Sequence, residues 1–220
     1  MRSLLTAIAT VILCLGFISC ATTRSEVSIA GPAPVMTKPS TVPGKTIYLR
    51  SVTDERAFEQ APKQPNIPSL GFEGADKATA EIKARAIGRK RGGFGKAFGD
   101  VLLEEGSTVS GLVRQHLTSA LEQAGYQVVN DAAKTQSSTP TLDVHIKQFW
   151  TWVNPGFWSI SLTNHITTDL ALSGNPTPVI IDVEKKEGFQ VIVESDWIKV
   201  VNQALEEYRS QVIAKTANKF

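Results

Sequence analysis

Two long alternating runs broken by a turn constrain this chain most. In residues 141–153, Leu142, Val144, Ile146, Trp150 and Trp152 share one parity, and Asp143, His145, Lys147 and Thr151 the other. Residues 158–172 repeat the pattern, with Trp158, Ile160, Leu162, Ile166, Leu170 and Leu172 set against Ser159, Ser161, Thr163, His165 and Asp169. A period of two marks a strand with one buried face. Asn154-Pro155-Gly156 between the runs is a turn signal. If the two apolar faces coincide, even positions pair with even ones, because a one-residue slip reverses every side chain. The expected register places Trp152 opposite Trp158, Trp150 opposite Ile160, and His145 opposite His165.

Helical periodicity flanks this hairpin. Val109, Leu112, Val113, Leu117, Ala120, Leu121 and Ala124 form a 3.6-residue stripe between a capping Ser107 and Gly125. Ser195 is positioned to cap a final helix that turns Trp197, Ile198, Val201, Ala204, Leu205, Tyr208, Val212 and Ile213 inward. Residues 46–53 and 126–129 read as strands, and residues 179–184 and 189–194 as a second hairpin around Lys185-Lys186-Glu187-Gly188. The expected fold is α+β: an antiparallel sheet of about five or six strands with two helices packed on one face.

The N-terminus reads as an address. Thirteen of the first 19 residues are hydrophobic, behind a short positive start at Arg2. Leu4 to Ile18 is too short for the roughly 20 residues of a spanning helix and suits a secretory signal. Phe17-Ile18-Ser19-Cys20 resembles the lipobox of bacterial lipoproteins, which implies cleavage after residue 19 and lipidation of Cys20. Ala21, not Asp, follows, and by resemblance to the Gram-negative sorting rule this implies the outer membrane, facing the periplasm. Residues 20–44, with four prolines, are expected to be a lipidated N-terminus and flexible tether. A single domain, residues 45–220, follows. Lipidation of Cys20 and loss of Cys14 leave no disulfide, so this domain relies on its core.

Residues 57–106 are expected to be a basic, glycine-rich insertion. Six Lys or Arg against one Glu fall between Glu81 and Lys96. The segment fails the P-loop pattern, since position 90 is Lys where Gly is needed and Ala97 replaces the Mg²⁺-binding Ser or Thr. It reads as a flexible cationic loop, either simply solvated or suited to an anionic lipid, glycan or acidic protein through Arg89, Lys90, Arg91 and Lys96. The whole chain, 220 residues at +2, lacks the cationic excess of a nucleic-acid binder. Trp150, Trp152 and Trp158 are either core or the lip of a hydrophobic groove. His145 opposite His165, near Asp143 and Asp169, is a weak metal candidate beside the plainer reading of two solvated histidines.

A first strand ending in Asp54-Glu55-Arg56, a basic Gly88-Arg89-Lys90-Arg91 segment and a helix closing at Ala124-Gly125-Tyr126 resemble the YajG-type envelope lipoproteins. The resemblance implies an envelope lipoprotein without established catalytic residues. The function expected is a noncatalytic accessory or adaptor of an envelope assembly, such as a transport, cell-wall or flagellar and secretion apparatus. No cofactor is expected beyond the lipid on Cys20, and the partners expected are the membrane and an envelope protein complex. The alternatives are an envelope enzyme such as a glycan hydrolase, or a binder of small hydrophobic ligands. Against an enzyme, there is no Gly-x-Ser-x-Gly elbow and no HExxH pair.

Overall fold

The computed structural model describes residues 23–33, 45–72, 74–92, 96–156 and 159–217. Cys20, Trp158, residues 93–95 and residues 34–44 of the expected tether lie outside the described residues.

The central element is β6 (Thr141–Pro155), a 15-residue strand with a forked neighbourhood. Along one side it pairs throughout with β7 (Ile160–Leu172), which in turn pairs with β8 (Val179–Phe189). Two strands share its other side. Residues 141–146 pair in parallel with β2 (Thr46–Asp54), which carries the short β5 (Gln127–Val129) on its far edge. Residues 151–152 pair in parallel with β3 (Ala86–Arg91), followed by β4 (Ala97–Leu103) and β1 (Ser25–Val27).

The sheet is therefore mixed and has eight strands among the described residues, not five or six antiparallel ones. Strands that follow a helical or long connection return in the same direction, so β2, β3 and β6 run parallel. The expected tether also contributes a strand. Ser25–Val27 pairs with Val101–Leu103, and Val27 is fully buried, so order begins well before Lys45.

The segment expected to be a flexible cationic loop is built into the sheet. A short helix α1 (Ala80–Arg85) leads directly into β3, and β3 and β4 form an antiparallel hairpin. Ile87, Val101 and Leu103 anchor it in the core; the alternation was masked by the charges interleaved with it. The expected second hairpin at 179–194 is likewise one continuous strand, with Lys185-Lys186-Glu187-Gly188 inside β8 rather than at a turn. At the sheet margin its alternate residues face water, which tolerates that polar run.

Two helices pack on one sheet face as expected: α2 (Val109–Gln123) and α3 (Glu194–Thr216). Thr108, rather than Ser107, caps α2 by accepting from Gly111 N–H, and Gly125 adopts φ +92° after its end. The start of α3 is held by Asp196, which accepts from Val193 N–H at 2.8 Å, and not by Ser195.

The β6–β7 register departs from the expected one. Leu142 pairs with Leu172 and Ile146 with Thr168, but Gln148 pairs with Thr167 and Trp150 with His165. A bulge at Lys147 inserts one residue, and every side chain beyond it changes face. Leu142, Val144 and Ile146 point into the helical core; after the bulge Phe149 and Val153 do so instead. Trp150 and Trp152 turn to the opposite face, where they join Leu70, Ala86 and Leu102 in a second core. Residues 57–72 and 74–79 cover that core, with Phe58 edge-on to Trp150 at 6.0 Å and Pro65 O accepting from Trp150 Nε1 at 3.2 Å. Pro65 lies in this cover layer, and Pro68 within it is buried.

Candidate functional site: an apolar cleft with a cationic rim

The new register dissolves the histidine pair. His145 stands opposite Asp169 and bonds Glu55, while His165 stands opposite Trp150 and bonds Asp182 at 2.7 Å. Lys147 and His145 both reach Glu55, and their hydrogen bonds hold its carboxyl below the usual glutamate range. No cluster of three metal-ligating His, Cys, Asp or Glu side chains occurs among the described residues. Trp150 and Trp152 do not line a groove either, being 0% and 7% exposed in the second core.

The basic residues divide into different roles. Arg89 faces the second core across from Asp100, donating to Phe98 O at 3.2 Å and Ser69 Oγ at 3.3 Å. Asp100, fully buried, accepts from Gly71 N–H at 2.7 Å and from Arg24 Nε at 3.0 Å. Arg89 is therefore half-buried and tied into the second-core side of the sheet. Lys96 is exposed where β4 begins. Lys90 and Arg91, successive residues at the end of β3, both border a cleft.

That cleft has a volume of about 670 Å³ and opens on the helical side of the sheet. Val27 of β1, Val101 of β4, Val153 of β6 and Ile160 of β7 supply apolar lining from the sheet. Trp197, on the first turn of α3, and Ile192, in the segment before it, close the other side. Gly88 makes this closure possible. A Cβ there would lie 2.6 Å from Thr151 O and 2.7 Å from the Trp197 ring, so only glycine lets the indole settle on the sheet.

The rim is polar and partly charged. Lys90 Nζ donates to Thr23 O at 3.2 Å, joining β3 to the residue that leads into β1. Burial first, and then the neighbouring Arg89 charge, lower the Arg91 pKa. Glu194 lies among the lining residues as a carboxylate, and Val191 and Val193 are largely exposed beside it.

Sequence reasoning found Lys90 and Arg91 but missed the cleft, because its apolar residues come from five separated segments. The one local signal was Gly88 inside an otherwise strand-like run, which marks a close approach by another group. A second recess of about 430 Å³ lies between residues 31–33 and α2, lined by polar side chains such as Arg114, Gln115 and Glu122.

No family model matches the chain, and no curated protein is similar to it in sequence. Solved structures give weak likenesses. A Xanthomonas campestris protein of the family DUF330 has 8% identity and a TM-score of 0.42, covering 90% of this chain and 95% of its own. A proposed neuraminyllactose-binding hemagglutinin homolog from Helicobacter pylori has 15% identity and a TM-score of 0.40, covering 88% and 94%. A proposed lipoprotein from Caulobacter crescentus has 17% identity and a TM-score of 0.23, covering 49% and 76%. At such identities and scores, function has to be argued from the residues of this chain.

Proposed function

We propose that this chain is a lipid-anchored lipoprotein of the bacterial envelope, held at the outer membrane and facing the periplasm, and that it acts there as a noncatalytic accessory or adaptor of an envelope assembly. The observation that carries the reading is Phe17-Ile18-Ser19-Cys20 at the end of an uncharged apolar run. Among the described residues no helix is long and apolar enough to cross a membrane, which leaves Cys20 as the attachment point in this reading. Three acyl chains at one cysteine exceed the two signals that stable anchoring takes.

The fold adds a distance to this picture. Thr23 is already joined to β3 through Lys90, and Cys20 lies three positions upstream of it, with only Ala21 and Thr22 between. At roughly 3.3–3.6 Å per extended residue, the domain stands within about 11 Å of its anchor.

Mass spectrometry of the N-terminal peptide tests the anchor. Detection of diacylglyceryl-modified Cys20, and release of the Cys20→Ser variant into the soluble periplasm, are the expected results; an unmodified Cys20 in membrane-extracted protein refutes the reading. For the adaptor role, a photo-cross-linker at Lys96 should capture a discrete envelope protein in cells. Uniform labelling of abundant bystanders would count against it.

A further inference from the structure

We propose that Phe72 is a membrane contact: its ring enters the head-group layer of the bilayer that holds Cys20, and so fixes which side of the domain faces that bilayer. The proposal goes beyond the accessory role by assigning a partner surface, and it rests on the anchor reading of Cys20.

The backbone displays this ring at a cost. Gly71 N–H donates to the buried Asp100 carboxylate at 2.7 Å, and Gly74 N–H donates to Gly71 O at 3.0 Å, closing a turn with Phe72 in its second position. Leu70, Gly71, Gly74 and Ala75 are buried on either side of it. Phe72 adopts φ +58° and is the only non-glycine residue with a positive φ among the described residues. Glycine and asparagine take that conformation readily, whereas a bulky side chain is crowded in it. The ring gains no burial in return, being 64% exposed. A lone exposed Phe on an ordinary backbone needs no explanation. One held on a conformation that disfavours it points to a contact outside the chain.

Position selects the bilayer as that contact. Arg24 stacks over the ring at 4.5 Å, and its Nε donates to Asp100 at 3.0 Å. One buried carboxylate therefore holds both the turn and the segment that leads to the anchor. Arg24 is four positions after Cys20, so their Cα atoms are at most about 14 Å apart. The opposite margin of the sheet, β8, lies four strands from the Asp100 strand β4, roughly 19 Å away. A tether this short keeps the ring at high effective concentration against the bilayer. A contact too weak to bind a free protein is then enough to orient an anchored one. The ring leaves water at the acyl boundary while the Arg24 guanidinium beside it stays at head-group level.

The test separates this contact from lipidation in cells. The mature chain, residues 20–220, has Cys20 as its only cysteine, so the unlipidated protein can be coupled there to a maleimide-headgroup lipid in phosphatidylethanolamine–phosphatidylglycerol vesicles. Dansylalanine is placed either at Lys77, exposed on the same cover segment, or at Ile180 of β8, 53% exposed, and quenching by nitroxide-labelled lipids is read. Quenching is expected to be several-fold stronger at position 77 than at position 180. Phe72→Asn, which suits a positive φ, should lower the population in contact about tenfold and bring the two positions level. It should leave the thermal midpoint unchanged or raised.

Equal quenching at the two positions with Phe72 in place overturns the proposal, as does quenching that Phe72→Asn does not change. A clear fall in thermal midpoint for Phe72→Asn makes the ring a structural residue and overturns it too. In cells, a photo-cross-linking residue at position 72 should capture phospholipid; capture of a discrete protein instead overturns the bilayer assignment. Because the coupling is chemical, a failure here is separable from a failure of Cys20 lipidation, which mass spectrometry reads.

Discussion

Arg56 is the residue on which the forked sheet depends most, and replacing it should cost more than any other single charged substitution in the domain. Its side chain is completely buried where β2 leaves the edge of β6 and β3 arrives. Nε and Nη2 clamp the Asp54 carboxylate at 2.8 and 2.7 Å. Nη1 donates to Ala86 O at 2.6 Å and Phe149 O at 3.0 Å, and Nη2 also reaches Lys83 O at 2.8 Å. One guanidinium thus satisfies carbonyls from α1, from β3 and from β6, with the Phe58 ring stacked 5.2 Å away. Arg56→Met keeps the volume of the stem and removes every donor. Breaking a buried ion pair costs about 3–5 kcal/mol. Each stranded buried carbonyl adds roughly 1–3 kcal/mol before relaxation. Asp54 can hydrate, being 20% exposed, so we expect a loss of about 4–6 kcal/mol, against a typical domain stability of about 5–15 kcal/mol. Arg56→Lys restores the charge but not the planar fork, and should recover only part of the loss. Urea unfolding followed by tryptophan fluorescence measures both variants. A loss under about 1 kcal/mol for Arg56→Met would refute the idea that this side chain holds the fork together.

Further outcomes follow from the same geometry. His116 on α2 is 3% exposed, and burial, then the nearby Arg209 charge, lower its pKa from 6.5 to about 4; the Ala30 backbone and Glu206 oppose this more weakly. Its neutral form contributes stability that is complete above pH 6.5 and lost as pH falls toward 4, about 3 kcal/mol in all. His116→Phe should flatten the stability profile between those pH values, and an unchanged slope in pH-dependent urea titrations would exclude His116 as its cause. Gly88→Ala should destabilise by about 1–3 kcal/mol through the clash with Thr151 O and the Trp197 ring, visible as a fall in thermal midpoint. Deleting Lys147 should prevent folding, because it returns Trp150 and Trp152 to the helical face, whereas Lys147→Ala, which keeps the bulge, should fold; circular dichroism and near-ultraviolet spectra distinguish the two.

The elements that could be read from the residues are those whose burial is one-sided. The stripes of α2 and α3 and the alternation of Leu142, Val144 and Ile146 each face one core, so their period shows directly. The alternation loses that meaning past Lys147, where Phe149, Trp150, Thr151, Trp152 and Val153 are all buried between two layers. With both parities in demand, the two tryptophans seemed to continue the even face, when the extra residue had moved them to the other. The bulge has no signature of its own in a run where both faces are buried. It becomes intelligible only from the fork. One side of β6 must serve β2 up to residue 146 and β3 from residue 151, and Arg56 occupies the junction between them. A strand with two successive neighbours must re-aim its side chains where the neighbours change. Asp54-Glu55-Arg56, which in the sequence looked like the mere end of a strand, supplies both halves of that junction: Arg56 ties the carbonyls inside, and Glu55 holds the exposed bulge residue Lys147 outside. The lipobox-like Phe17-Ile18-Ser19-Cys20 stands out in the sequence because it is a contiguous pattern. The cleft does not, because it exists only once β1 has been recruited from the supposed tether and Gly88 has admitted Trp197 to the sheet.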